Sequence, residues 1–179
     1  MMRLNTRSWI AAGTAALMSA SLLMSSVAEA CTRFVYLGGD GQVVTGRSMD
    51  WRTDVGTNLW VFPRGMERSG EAGPNSIRWT SKYGSVIASG YDISTTDGMN
   101  EAGLVANVLW LVESTYPKYD GTGPGLSIAA WAQYVLDNFA TVEEAVAALE
   151  KEPFTLVTDY VPGEDRLATL HLSISDASG

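Results

Sequence analysis

This 179-residue chain is poorest in cysteine and histidine, with one of each, and has only 12 basic residues against 20 acidic ones. A single thiol cannot close an internal disulfide. A lone histidine, His171, with no Cys/His cluster around it, offers zinc no ligand set and reads as structural. No glycine-rich loop runs into a lysine, as a phosphate-binding loop would. Gly125-Leu-Ser127-Ile-Ala129 partly imitates a serine nucleophile elbow, but it ends in alanine and opens a helix after a loop. The net charge of −8 argues against nucleic acid as a partner.

What the chain does have begins at its start. Arg3 and Arg7 precede a stretch of apolar and small residues from Trp9 to Val27, followed by Ala28-Glu29-Ala30. This is the pattern of a secretory signal over residues 1–30, with cleavage after Ala30. The stretch is nearly long enough for an uncleaved membrane anchor, but its Ser, Gly and Ala content and its Ala-x-Ala end favour cleavage. The expected product is periplasmic or secreted, with no stable membrane association. Losing Arg3, Arg7 and Glu29 leaves 10 basic and 19 acidic residues, a net charge of −9. Residues 31–179 suffice for one ordinary core, so one domain is expected.

Cleavage there makes Cys31 the first residue, with a thiol and a new α-amine on the same carbon skeleton. A thiolate is the nucleophilic form of cysteine and needs a base or a positive neighbour. An α-amine titrates near ~8 and can take the thiol proton directly or through one water. Cys31 therefore suits an N-terminal nucleophile that attacks an amide carbonyl. An inert core thiol is one alternative. Lipid attachment is the other, although Glu29 is charged where a lipoprotein signal favours a small residue.

Strand signals dominate the first half. Cys31–Leu37 and Gln42–Trp51 flank Gly38-Gly39-Asp40-Gly41 and predict a hairpin. Further strands are expected at Leu59–Phe62, Ile77–Trp79 and Gly84–Ser89. Ile93–Thr96 and Leu104–Leu111 flank a turn-like Asp97–Glu101. After the breaker-rich loop 121–125, apolar spacing predicts a helix over Leu126–Phe139, and Thr141-Val-Glu-Glu144 fits a capping box opening a second helix to about Lys151. Leu167–Ile174 reads as a strand and Asp176–Gly179 as the turn that would reverse it, so the chain is expected to be the N-terminal part of a longer protein.

In the simplest hairpin register Leu37 pairs with Gln42 and Cys31 lies opposite Ser48. Asp50 then shares the face of Cys31 and could orient its amine. Arg47 falls on the other face, unless a bulge at Gly46 brings it across.

Cys31-Thr-Arg-Phe, Gly46-Arg47-Ser48-Met49-Asp50-Trp51, Pro63-Arg64-Gly65 and Asn100-Glu101-Ala102-Gly103-Leu104 together resemble the choloylglycine hydrolase family. That family comprises bile salt hydrolases and penicillin V acylases, and the similarity extends over nearly all of residues 31–179. The resemblance implies an α+β architecture, the four-layer αββα N-terminal nucleophile hydrolase fold, of which this chain is the N-terminal part. It implies Cys31 as nucleophile with its own amine as base, Arg47 beside the thiol and Asp50 on the amine, and no metal or cofactor. The family's oxyanion asparagine and further Asn and Arg residues lie in a second half with no counterpart here. Trp110 falls where bile salt hydrolases carry asparagine and many penicillin V acylases tyrosine. With Trp51 it implies a pocket for a flat, apolar acyl group. The partner implied is a small-molecule amide, resembling the substrates of periplasmic Gram-negative penicillin V acylases, which also act on N-acyl homoserine lactones. A bile salt hydrolase is the alternative within the family, and an acylated envelope binding protein the alternative outside it. The full-length protein is expected to be a homo-oligomer, a tetramer by resemblance.

Overall fold

The computed structural model describes residues 31–179. The signal segment expected over residues 1–30 lies outside the described residues.

β1 (Thr32–Leu37) and β2 (Val43–Ser48) form the expected antiparallel hairpin. Its register differs from the simple one by a single residue: Leu37 pairs with Val43, Thr32 with Ser48 and Arg33 with Arg47. Gln42 belongs to the turn, because the Gly38 N–H donates to the Gln42 carbonyl (2.8 Å) and the Gln42 N–H to Gly39 (3.2 Å). Asp40 and Gly41 take φ of 59° and 73° to close it, a left-handed pair that glycine and aspartate accept at little cost. The pairing runs unbroken through Gly46, so there is no bulge there. The glycine has another cause. The Phe34 ring lies across it from the partner strand, and a Cβ on Gly46 would fall 2.4 Å from the ring's Cζ.

The central sheet has five antiparallel strands in the order β11-β8-β7-β6-β3, namely Leu170–Ser175, Val105–Trp110, Ser94–Asn100, Ser85–Gly90 and Leu59–Phe62. One face carries Ile87, Ala106, Val108, Leu172 and Ile174, against which α1 (Trp131–Asn138) sets Ala132, Val135 and Leu136, and α2 (Val142–Leu149) sets Ala145. This is the hydrophobic core. The hairpin lies on the opposite face, where Asp97, Asn107 and Ser175 meet Arg33, Thr45 and Arg47. Helices, sheet and hairpin thus stack in α, β, β order, an α+β arrangement.

Asp97–Asn100 was expected as a turn but is the second half of β7, and the turn is Glu101–Gly103. Asn100 makes that turn from within the strand. Its side-chain Oδ1 accepts from the Ala102 and Leu104 N–H groups (3.0 Å each). Its amide donates to the Leu136 and Phe139 carbonyls (2.8 Å each), closing the end of α1. The Asn100–Leu104 block is therefore structural. Gly98 admits α1, since a Cβ there would lie 2.6 Å from both Ile87 Cγ2 and Leu136 Cδ1. Gly98→Ala is expected to cost about 2 kcal/mol by overpacking, measured as a lowered urea midpoint with unchanged slope.

The first helix also starts later than its apolar spacing implies. Gly125–Ser127 is a strand, β9, paired in parallel with β10 (Thr155–Val157), and the Ser127 hydroxyl caps a short 3₁₀ turn ahead of α1. The second helix fits its capping signal. Thr141 Oγ1 accepts from the Glu144 N–H (3.2 Å), while the Glu144 carboxylate accepts from Ala140 rather than from Thr141 itself. The Asp176 carboxylate, in the turn after β11, accepts from the Val142 N–H (2.7 Å) and ties the last strand to α2. β4 (Glu67–Ser69) and β5 (Arg78–Thr80) form a separate two-stranded ribbon.

Candidate active site

Cys31 precedes β1 by one residue and is half-buried. Arg33 lies two positions along from it, with Thr32 between, so Cys31 shares the inward face of the hairpin with Arg33 and Arg47. The turn's extra residue brings Arg47 to this face without a bulge. The same register places Met49 level with Cys31, and both line one cleft.

That cleft holds about 300 Å3 and is mostly apolar. Its walls include Trp51, Trp110, Val108, Ile128 and Leu170, with Asp159, Tyr160, Val161 and Pro162 from the segment between β10 and β11. The Trp51 and Trp110 rings lie 4.8 Å apart, tilted by 56°. Trp51 Nε1 donates to the Tyr91 hydroxyl (3.0 Å), which fixes the indole's orientation. Cys31 and the two indoles therefore line the same cleft, one with room for a flat acyl group.

Arg47 lies behind this surface rather than in it. Its guanidinium donates to the Val108 carbonyl and pairs through Nε with Asp97 at 2.7 Å, and its side chain is only 10% exposed. Asp97 in turn accepts from Asn107 Nδ2 (2.8 Å), and Asn107 Oδ1 accepts from Arg33 Nε (2.7 Å). Arg33 also donates to Ser175 Oγ (2.7 Å). Burial pushes the Arg33 pKa below its ordinary value. The chain of polar groups fixes the hairpin, and with it Cys31, on the sheet. Asp50 follows the end of β2 at an exposed position, accepts from Ser48 Oγ (3.2 Å), and is not part of the cleft wall. The structure thus brings Cys31, Trp51 and Trp110 together in one wall and sets Arg47 and Asp50 outside it.

Sequence reading missed Asp97, Asn107, Tyr91 and Arg166. Asn107 interrupts the otherwise apolar run Val105–Trp110, and a polar residue inside such a run is a signal for a buried partner. Arg166 gave no such signal. Among the described residues, no cluster of three or more His, Cys, Asp or Glu side chains could hold a metal, and no helix is long and apolar enough to cross a membrane.

The linear amide C–N hydrolases of the choloylglycine hydrolase family match residues 31–179, beginning at this cysteine. The chain belongs to that family. Choloylglycine hydrolase relatives include penicillin V acylase of Pectobacterium atrosepticum, 63% identical over 166 residues, a match covering 88% of this chain and 44% of the relative. The solved structure of penicillin V acylase from Agrobacterium tumefaciens superposes with a TM-score of 0.75 at 80% identity, over 82% of this chain and 44% of that one. Conjugated bile acid hydrolase from Clostridium perfringens superposes at 0.67 with 29% identity, over 84% of this chain and 46% of that one. The chain thus spans about half the length of the relatives it matches. The α, β, β stacking belongs to the N-terminal nucleophile hydrolase fold shared by these relatives.

Proposed function

We propose that this chain is the nucleophile-bearing part of an exported amidohydrolase that cleaves a linear amide between an apolar or aromatic acyl group and a small amine-bearing head. The observation that carries this reading is that Cys31 lines one apolar cleft with the Trp51–Trp110 pair in a chain of the choloylglycine hydrolase family. Cleavage after Ala30 would free the Cys31 amine. That amine takes the thiol proton, and the thiolate attacks the amide carbonyl carbon. As the tetrahedral intermediate collapses, the C–N bond breaks and the proton passes to the departing amine. Water then hydrolyses the thioester and returns the free thiol. The paired Arg47 adds positive charge on the hairpin face that Cys31 shares, and by resemblance to the family Asp50 orients the amine.

Penicillin V and long-chain N-acyl homoserine lactones are the substrates this reading favours, in the periplasm or outside the cell, with a homo-oligomeric full-length protein. Indoles in the acyl wall favour aromatic and aliphatic acyl groups over a hydroxylated steroid. The test is turnover of penicillin V, a long-chain acyl homoserine lactone and glycocholate by the full-length secreted protein. Faster turnover of either of the first two supports the acylase reading. A preference for glycocholate would overturn it in favour of a bile salt hydrolase. The mass of the N-terminal peptide separates a free Cys31 from a lipid-modified one. Asp50→Asn is expected to lower turnover about tenfold with little change in melting temperature. A large drop in melting temperature with unchanged turnover per folded molecule would make Asp50 structural.

A further inference from the structure

Arg166 touches the cleft's aromatic wall without lining the cleft. Its guanidinium carbon lies 4.8 Å from the centre of the Trp51 ring and 4.5 Å from that of Trp110, so one cation covers both indoles. The arginine is itself held, since its Nε donates to Glu164 Oε2 at 2.6 Å. The other side of Glu164 is taken by Arg52, the residue next to Trp51, through Nε to Oε1 at 3.3 Å and through a second nitrogen to Oε2. These two arginines hold the Glu164 carboxyl below the usual carboxylate range, Arg52 through the larger effect, so the anion persists at neutral pH. The contacts close a ring: Trp51 to Arg52 by the chain, Arg52 to Glu164, Glu164 to Arg166, and Arg166 back onto Trp51 and Trp110.

The segment that supplies Glu164 and Arg166 is fixed in shape. The Val161 N–H donates to the Arg166 carbonyl (2.9 Å), Glu164 N–H to Val161 (3.0 Å) and Ala168 N–H to Asp159 (2.9 Å). Its other side forms part of the cleft wall through Asp159–Pro162. The segment therefore sets two walls at once, one directly and one through the indoles.

We infer that Arg166, fixed by Glu164 and Arg52, is a positioning residue that locks the Trp51–Trp110 pair and so sets how tightly the acyl part of the substrate is held. This rests on the reading of the cleft as an acyl site. A cation shared between two rings fixes their mutual angle, because tilting either ring moves its face off the charge. The acyl group meets the indoles and never the arginine, so loss of the lock should act on substrate binding and leave the chemical step alone.

The test is Arg166→Met in the full-length protein, which keeps an unbranched apolar stem and removes the cation. In 5-fluorotryptophan-labelled protein, assigned by Trp→Phe substitution, the Trp51 and Trp110 fluorine resonances should both shift while that of Trp79, at 5.2 Å from Tyr134 in another cluster, stays in place. KM for penicillin V should rise about fivefold with kcat within about twofold. Unmoved Trp51 and Trp110 resonances would overturn the inference, and so would a fall in kcat at constant KM. If the unsubstituted protein hydrolyses no amide, the functional reading fails by itself, and the fluorine resonances alone then decide whether Arg166 locks the pair.

Discussion

Cys31→Ser in the full-length protein should reduce penicillin V hydrolysis by at least about a thousandfold while export, folding and urea midpoint stay unchanged. The substitution alters one atom at a half-buried position whose backbone adjoins β1, so nothing in the packing is lost. What is lost is the nucleophile. A hydroxyl holds its proton far more firmly than a thiol, and an amine titrating near ~8 cannot draw it off to a comparable extent. Steady-state turnover, paired with iodoacetamide labelling that disappears in the variant, checks the prediction. Hydrolysis within about tenfold of the parent protein would remove Cys31 from the mechanism, because removing a true nucleophile commonly costs far more than that.

The second large effect is expected far from the cleft. Asp137 is fully buried on α1, where its carboxylate accepts from Trp79 Nε1 (2.8 Å), Ser81 Oγ (3.0 Å) and Gln133 Nε2 (2.7 Å) and pairs with Arg68 Nε at 3.4 Å. One anion joins the helix to the β4–β5 ribbon and to the turn before β6. Asp137→Ala leaves the Trp79 and Gln133 donors and a largely buried guanidinium without this acceptor, while the Ser81 hydroxyl keeps the Tyr83 carbonyl (2.7 Å), and should cost about 4 kcal/mol of stability. Asp137→Asn keeps an acceptor of the same shape and should cost less. Urea unfolding of both variants against the parent checks the order, and an alanine variant within about 1 kcal/mol of the parent would mean that the anion is dispensable to the core.

The parts of the fold that could be read from sequence were those set by local chemistry. Alternating or β-branched runs gave Leu59–Phe62 exactly as built and β6, β8 and β11 to within a few residues. Thr141 and Glu144 marked the second helix because a cap is a contact between near neighbours. The errors arose where a distant partner decides. Gly125–Ser127 pairs with Thr155–Val157, so residues with helical spacing begin as a strand. Asp97-Gly98-Met99-Asn100 has the composition of a turn, yet Gly98 is there to admit α1 and Asn100 to bind its carbonyls. The hairpin's register turned on one hydrogen bond, Gly38 to Gln42, that composition does not encode. Within the candidate site, Cys31, Trp51 and Trp110, singled out from sequence, line one cleft. Arg166 was not, because Glu164-Asp165-Arg166 reads as ordinary solvated surface until the fold lays it over two indoles.

The hairpin meets the sheet through guanidinium, carboxylate, amide and hydroxyl groups. Oily surfaces can slide past each other at little cost, since their attraction has no direction. Hydrogen bonds weaken steeply once their atoms leave line. A slip of one residue along either strand would turn Arg33 or Arg47 toward solvent and press Phe34 or its neighbours onto Asp97 and Asn107. The layer therefore has no half-correct setting. A chain in which Cys31 sits one step away from its place is a chain whose hairpin has failed to dock, and errors in the position of the thiol are rejected at assembly rather than carried into a folded but sluggish protein.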